Sequence, residues 1–285
     1  MRFVKSHGTG NDFVLLPDPD GRLTLDASLV RALCRPHLGL GADGVIRVAP
    51  PRDPGAADVF MDYRNADGSL AETCGNGVRC VAKYLLDRGL VAGDEVRVDT
   101  RSGVRLVRCT RGAHGLVERG RLEMGEPVPL KVDLALDLPV GGSLHVTTLS
   151  MGNPHAVVIV DDVARAPVAT LGPALERHEE FPEGMNVEFV APRGPDRIEG
   201  RIWERGVGET LASSSGASAM AVAAHLLGFT GRLVTVAMPG GELEVDWHDE
   251  GLAISGSAVE VASGELDAAW LADVDEADVD EAVGA

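Results

Sequence analysis

Short apolar runs recur along the chain, broken by Gly, Pro and Asp, which is the punctuation of strands entering and leaving a sheet. In the first half, residues 13–16, 45–48, 96–98 and 104–107 read as strands; in the second, 157–160, 187–190, 233–236 and 243–245 do. Residues 26–35 have a helical pattern. A further helix follows a glycine-rich stretch in each half. In the first, Val78, Val81, Ala82 and Leu85 fall on one face and Gly89 ends the run. In the second, residues 217–224 are apolar nearly all round, as in a helix enclosed by other structure.

The two halves repeat one another. GNDFV at residues 10–14 is echoed by GNPHAVV at 152–158, with Asn11 falling on Asn153 at an offset of 142. The same offset carries VIRVAP (45–50) onto VEFVAP (187–192) and Ala32-Leu33 onto Ala174-Leu175. Beyond that point the offset drops to 139, as a three-residue deletion requires, and TCGNGVRC meets ASSSGASA. Asn65 then aligns with Glu204, Cys74 with Ser213, and Gly77 with Gly216. Two long units are a duplicated domain rather than a solenoid of many short ones.

The expected fold is α+β: two pseudo-symmetric lobes from an internal duplication, each a curved, mostly antiparallel sheet wrapped around a central helix. The second unit begins between Pro127 and Ser150. The division is set at 1–130 for the N-terminal lobe and 131–261 for the C-terminal lobe, with 273–285 an acidic, disordered tail.

Length supports that division, since 285 residues exceed the usual single domain. A formal charge of −18 excludes a nucleic-acid or anionic-membrane surface, both of which need basic patches. The N-terminus is polar and glycine-rich where a signal peptide needs an apolar run, and no segment has the length of a spanning helix, so a cytoplasmic location is expected. The four cysteines, Cys34, Cys74, Cys80 and Cys109, form no CxxC pair and no zinc-like spacing, so no metal is expected and the thiols should be free.

Gly39-Leu-Gly41-Ala-Asp-Gly44 matches GxGxxG as a string, but it follows a helix and precedes a strand. A dinucleotide site needs the reverse order. Packing is the ordinary role of a free cysteine, and Cys34, Cys80 and Cys109 fit it, lying inside strand or helix patterns. Cys74 does not, because Gly-Asn-Gly follows it at a helix start. Cys74 and Ser213 each precede a helix N-terminus within a run of small residues. Helix N-termini carry orphan N–H donors and partial positive charge, so they attract carboxylates and favour thiolates. Two such ends facing one cleft would clamp a small anionic substrate from opposite sides.

Together the stretches HGTGNDFV, GLGADG, MDYRNADGS, CGNGVRC, GNPHAVV, GMNVEF and ERGVGET, in that order between residues 7 and 216, resemble the diaminopimelate epimerases. The resemblance implies the double-lobed fold with a C-terminal strand, near 262–272, returning to the first lobe. It implies a homodimer acting on a small amino acid, with no cofactor. The implied reaction interconverts LL- and meso-diaminopimelate, in lysine and peptidoglycan-precursor biosynthesis, by proton transfer at the α-carbon between two cysteines.

By position, Cys74 is one of that pair and Ser213 stands at the other. His155 and Glu204 lie near the reacting centre. Gly75, Asn76, Ser214 and Ser215 bind the reacting carboxylate. Asn11, Asn65, Asn153, Asn186 and Arg205, with Glu204, hold the rest of the substrate. Ser213-Ser214-Ser215 replaces the family's Cys-Gly-Thr, and a hydroxyl is a far weaker acid than a thiol. That departure leaves three readings open: an epimerase slowed at one face; a divergent racemase, isomerase or one-base lyase for another amino acid; and a non-catalytic amino-acid-binding homologue.

Overall fold

The computed structural model describes residues 1–72, 74–138 and 142–274. From the N-terminus run β1 (Arg2–Gly8), β2 (Asn11–Pro17), α1 (Ala27–Cys34), β3 (Gly44–Ala49), β4 (Val59–Asn65), α2 (Gly75–Asp87), β5 (Glu95–Thr100), β6 (Gly103–Arg111) and β7 (Val117–Gly125). Then come β8 (Val128–Asp137), β9 (Ser143–Ser150), β10 (Pro154–Ile159), α3 (Val168–Glu176), β11 (Asn186–Gly194), β12 (Arg197–Glu204) and β13 (Gly208–Thr210). The chain closes with α4 (Ser214–Leu226), β14 (Leu233–Met238), β15 (Gly241–His248), β16 (Gly251–Ser257) and β17 (Val259–Glu265), followed by a helical stretch at 268–274. Among the described residues, no helix is long and apolar enough to cross a membrane.

The chain divides into two compact units. The first comprises Met1–Gly8, Asp12–Gly120 and the segment from Ala258 onward; the second comprises Thr9–Asn11 and Arg121–Ser257. The break after Gly120 comes earlier than the expected 130/131 and falls inside β7, because β7 pairs with β16 of the second unit. The returning strand is also earlier than 262–272. β17 pairs antiparallel with β1 from Arg2↔Glu265 to His7↔Val259, and helix follows at 268. That helix reaches 274 and so takes in the first two residues of the expected tail; the remainder, 275–285, lies outside the described residues.

The repeat is visible in the strand registers. β2 and β3 pair parallel with Phe13 opposite Gly44, and β10 and β11 pair parallel with His155 opposite Asn186, each partner 142 residues on. β3 and β4 set Val45 against Arg64, and β11 and β12 set Val187 against Trp203, so the offset drops from 142 to 139 between these strands. The second parallel pair, β4 with β5, has its counterpart in β12 with β14. Pairing is therefore mixed, with antiparallel ladders in the majority.

Each unit encloses one long helix. α2 packs on β1, β5, β6 and β17, and α4 on β9 to β12 and β14 to β16. The apolar composition of α4 anticipated its burial. α2 is amphipathic in sequence, yet Asn76 to Leu86 are all buried, because β7 covers the side that the sequence left polar, with Gly120 against Arg79 and Val117 against Lys83. The polar side chains there take partners. Lys83, for example, donates to Asp87 at 2.7 Å and to the Val117 carbonyl at 2.6 Å. Outside these helices, α1 closes a core of Val14, Leu16, Val30, Leu33 and Val45, and α3 closes one of Val158, Leu175, Val187 and Phe189.

Candidate active site

In the first unit, Cys74 is the N-cap of α2, extended at φ −147° and ψ 113°. The turn that follows leaves no room for a side chain at Gly77. A Cβ on Gly77 would lie 2.8 Å from side-chain atoms of Ile46 and Met61, and one on Gly8 would lie 2.9 Å from the Asn76 carbonyl oxygen. The helix start therefore rests directly on β3, β4 and the end of β1. Beneath it lies Arg79, fully buried, donating to Asn76 Oδ1 at 2.6 Å and to the Gly75 carbonyl at 3.4 Å. Burial pulls the Arg79 guanidinium down to about 10, opposed by the nearby Cys80 and Cys74 sulfurs. It remains a cation at neutral pH. A buried cation and a helix N-terminus both favour negative charge on a sulfur placed beside them.

The other three cysteines are buried. Desolvation pushes the Cys34 thiol up to about 12 and those of Cys80 and Cys109 to about 11. They stay protonated and pack as small apolar groups, as their positions inside elements suggested.

In the second unit, Ser213 is the N-cap of α4, extended at φ −137° and ψ 130°, and its Oγ accepts the Gly216 N–H at 3.2 Å. α2 and α4 begin 139 residues apart and are each 13 residues long, so Cys74 and Ser213 occupy equivalent caps. Asn153 and His155, both from the GNPH segment, lie on the same side of the unit. His155 is fully buried, its Nδ1 2.6 Å from Glu188 Oε1 and its Nε2 3.0 Å from Asn153 Oδ1. Longer contacts run from Asn153 Nδ2 to Ser215 Oγ at 3.5 Å and from Ser215 Oγ to Ser213 Oγ at 3.4 Å.

The remaining predicted residues are fixed more locally. Asn186 donates to the Pro154 carbonyl at 2.9 Å and accepts the Arg205 backbone N–H at 3.0 Å, which ties the β11 start to the turn after β12. The Arg205 side chain is exposed and donates to the Glu183 carbonyl at 2.9 Å. Glu204 accepts from the Thr210 hydroxyl, so the carboxylate on His155 is Glu188 rather than Glu204. Asn65 ends β4 and donates to Ser69 Oγ at 3.0 Å; Asn11 opens β2 and is half-buried. Sequence reasoning missed Arg79 and Glu188. The only signal for Arg79 was its place inside CGNGVRC, and for Glu188 its place inside GMNVEF.

Solved structures of distant sequence share this fold. A probable proline racemase from Agrobacterium radiobacter K84 matches with a TM-score of 0.70 at 20% identity, over 94% of this chain and 93% of its own. A PhzF-family phenazine biosynthesis protein from Bacillus anthracis also scores 0.70, at 17% identity over 94% and 99% of the two chains. The class is thus the epimerase and PhzF-like fold. Sequence narrows it further. The diaminopimelate epimerase family model matches residues 3–128 and 147–269. Curated diaminopimelate epimerases from Pelotomaculum thermopropionicum and Leptospira biflexa are 41% and 40% identical, over 93% and 94% of this chain and 98% and 99% of theirs. The chain belongs to the diaminopimelate epimerase family, and it is an isomerase.

Proposed function

We propose that this chain interconverts LL- and meso-diaminopimelate by moving the α-proton without a pyridoxal cofactor or a metal. A carbanion formed beside a carboxylate with no electron sink needs donors already aimed at the developing charge. The N–H groups of Gly75, Asn76, Ser214 and Ser215 supply them from two helix starts. Cys74 takes the proton as thiolate on one face and becomes a thiol; Ser213 serves the other face, giving a proton in one direction and accepting it in the other. Asn11, Asn65, Asn153, Asn186 and Arg205, with Glu204, hold the distal amino and carboxylate groups, while His155 and Glu204 assist near the reacting carbon. A hydroxyl does the second task poorly unless a base assists it, so the Ser213 half-reaction is the slow one.

The observation that carries this reading is the equivalence of the two caps, each at the start of a 13-residue helix in its copy of the repeat. Identity of about 40% with curated epimerases along nearly the whole chain supports the substrate. The same reading makes the protein a cytoplasmic homodimer of lysine and peptidoglycan-precursor biosynthesis. The test is α-proton exchange in heavy water with each stereoisomer separately. Deuterium should enter from both LL- and meso-diaminopimelate, faster from the centre that Cys74 deprotonates. No exchange from either would remove the reading.

Ser213 itself favours one alternative, a relative that acts on another amino acid as a one-base lyase or isomerase with Cys74 as the base. An unsaturated product, with release of water or ammonia, would identify it. Affinity for the amino acid without any exchange would identify a binding protein.

A further inference from the structure

The two helix starts are equivalent in backbone but not in what lies beneath them. In the first unit the turn rests on Ile46 of β3, and Phe13 lies on the neighbouring strand β2, both apolar and fully buried. Their counterparts 142 residues on are His155 and Glu188, both fully buried. The contact is conserved between the copies: a Cβ on Gly77 would meet Ile46, and a Cβ on Gly216 would lie 3.3 Å from Glu188 Oε1. The fold thus accepts apolar residues at both positions, and burying an ionisable pair there adds no stability that Phe and Ile would not give. The pair has another use.

Its hydrogen bonds define its protonation. Asn153 presents a carbonyl oxygen to Nε2, so that nitrogen carries the hydrogen. A lone pair on Nδ1 cannot face a carboxylate lone pair at 2.6 Å, so one proton lies between Nδ1 and Glu188 Oε1. The second carboxyl oxygen, Oε2, has no hydrogen-bond partner among the described residues. An ionised carboxylate with one oxygen dry and unpartnered is costly, whereas a neutral carboxylic acid tolerates it. Burial accordingly raises the Glu188 carboxyl above the ordinary range.

We propose that Glu188 is a positioning residue of this site: as a neutral acid it donates to Nδ1, locks His155 as the Nε2–H tautomer, and thereby anchors Asn153, Ser215 and the Ser213 hydroxyl at the start of α4. The inference rests on the reading above that Ser213 serves one face of the substrate. It does not need Glu188 to touch the substrate or to transfer a proton.

Two variants separate this role from packing. Glu188→Gln keeps the shape and offers an amide N–H to Nδ1, so it should hold the same tautomer and retain most activity. Glu188→Ile installs the apolar residue found at the equivalent position and leaves Nδ1 without a donor. Its exchange rate should fall about 10–100-fold at the stereocentre served by Ser213 and stay unchanged at the one served by Cys74. Nitrogen NMR of His155 should show the Nε2–H tautomer in wild type and Glu188→Gln, and a mixture in Glu188→Ile. Equal loss at both centres, unchanged exchange and NMR signals in Glu188→Ile, or a Gln variant as impaired as the Ile variant would each overturn the proposal. If wild type shows no exchange at the Ser213 centre, the functional reading falls instead, and the tautomer measurement still decides whether Glu188 governs His155.

Discussion

Replacing Ser213 by cysteine should make the protein less stable and faster, and the two effects have separate origins. Ser213 Oγ accepts the Gly216 N–H at 3.2 Å and so satisfies one of the orphan donors at the start of α4. Sulfur is a weak acceptor, and loss of an N-cap hydrogen bond costs about 1 kcal/mol. For a unit of this size that is a fall of about 2–4 °C in melting temperature. The chemical effect runs the other way. A well-matched acid–base group contributes about 10²–10⁴ in rate, or about 2.7–5.4 kcal/mol of barrier, and a thiol titrates near neutrality where a hydroxyl does not. Exchange at the stereocentre served by residue 213 should therefore rise by about that factor, with the Cys74 centre unaffected. The assay is deuterium incorporation followed by proton NMR, beside a thermal melt. A variant that melts lower but exchanges no faster would remove Ser213 from the proton relay, because the melt proves the cap was altered.

Cys74→Ala should abolish exchange at the stereocentre that Cys74 serves, and with it all net epimerisation, which needs both faces; retained turnover would dismiss it as the base. Arg79→Met keeps bulk but removes the buried donor to Asn76 and Gly75, and should cost about 1.5–3 kcal/mol in a denaturant melt and slow alkylation of Cys74 by iodoacetamide. In native protein near neutral pH, that reagent should modify Cys74 ahead of all others by mass spectrometry, because the other thiols are buried and held protonated up to about 11 or 12. These raised thiols also fix the sign of an alkaline effect. The folded state keeps protons that the unfolded chain releases from about pH 9, so stability is full below that pH and should fall as pH climbs toward about 11. Urea midpoints that stay flat over this window would contradict the assigned burial.

The repeat was legible because its two copies kept the same turns. Asn11 with Asn153, the paired strands and the glycine-rich caps all preserve backbone demands, and backbone demands leave marks in sequence. Glu188 was not legible, since in Val-Glu-Phe-Val it looks like the solvent side of a half-buried strand. β11 is covered on both faces over most of its length, so the alternation has no exposed side to report. Arg79 was hidden in the same way, as a charge on what reads as the polar face of α2, which β7 covers, with Gly120 set against the Arg79 side chain. Boundaries failed for a related cause. β7 and β17 look like ordinary continuations of their own halves, and only long-range pairing, of β7 with β16 and of β17 with β1, reveals which unit each completes.

That pairing has a consequence for synthesis. β1 leaves the ribosome before the other described strands, yet its antiparallel partner β17 is translated after all of them. The N-terminal unit must wait with one strand edge and one flank of α2 uncovered until the second unit has been made. The unit that begins first is thus finished last, and a product truncated before β17 would present a bare edge ready to pair with another chain.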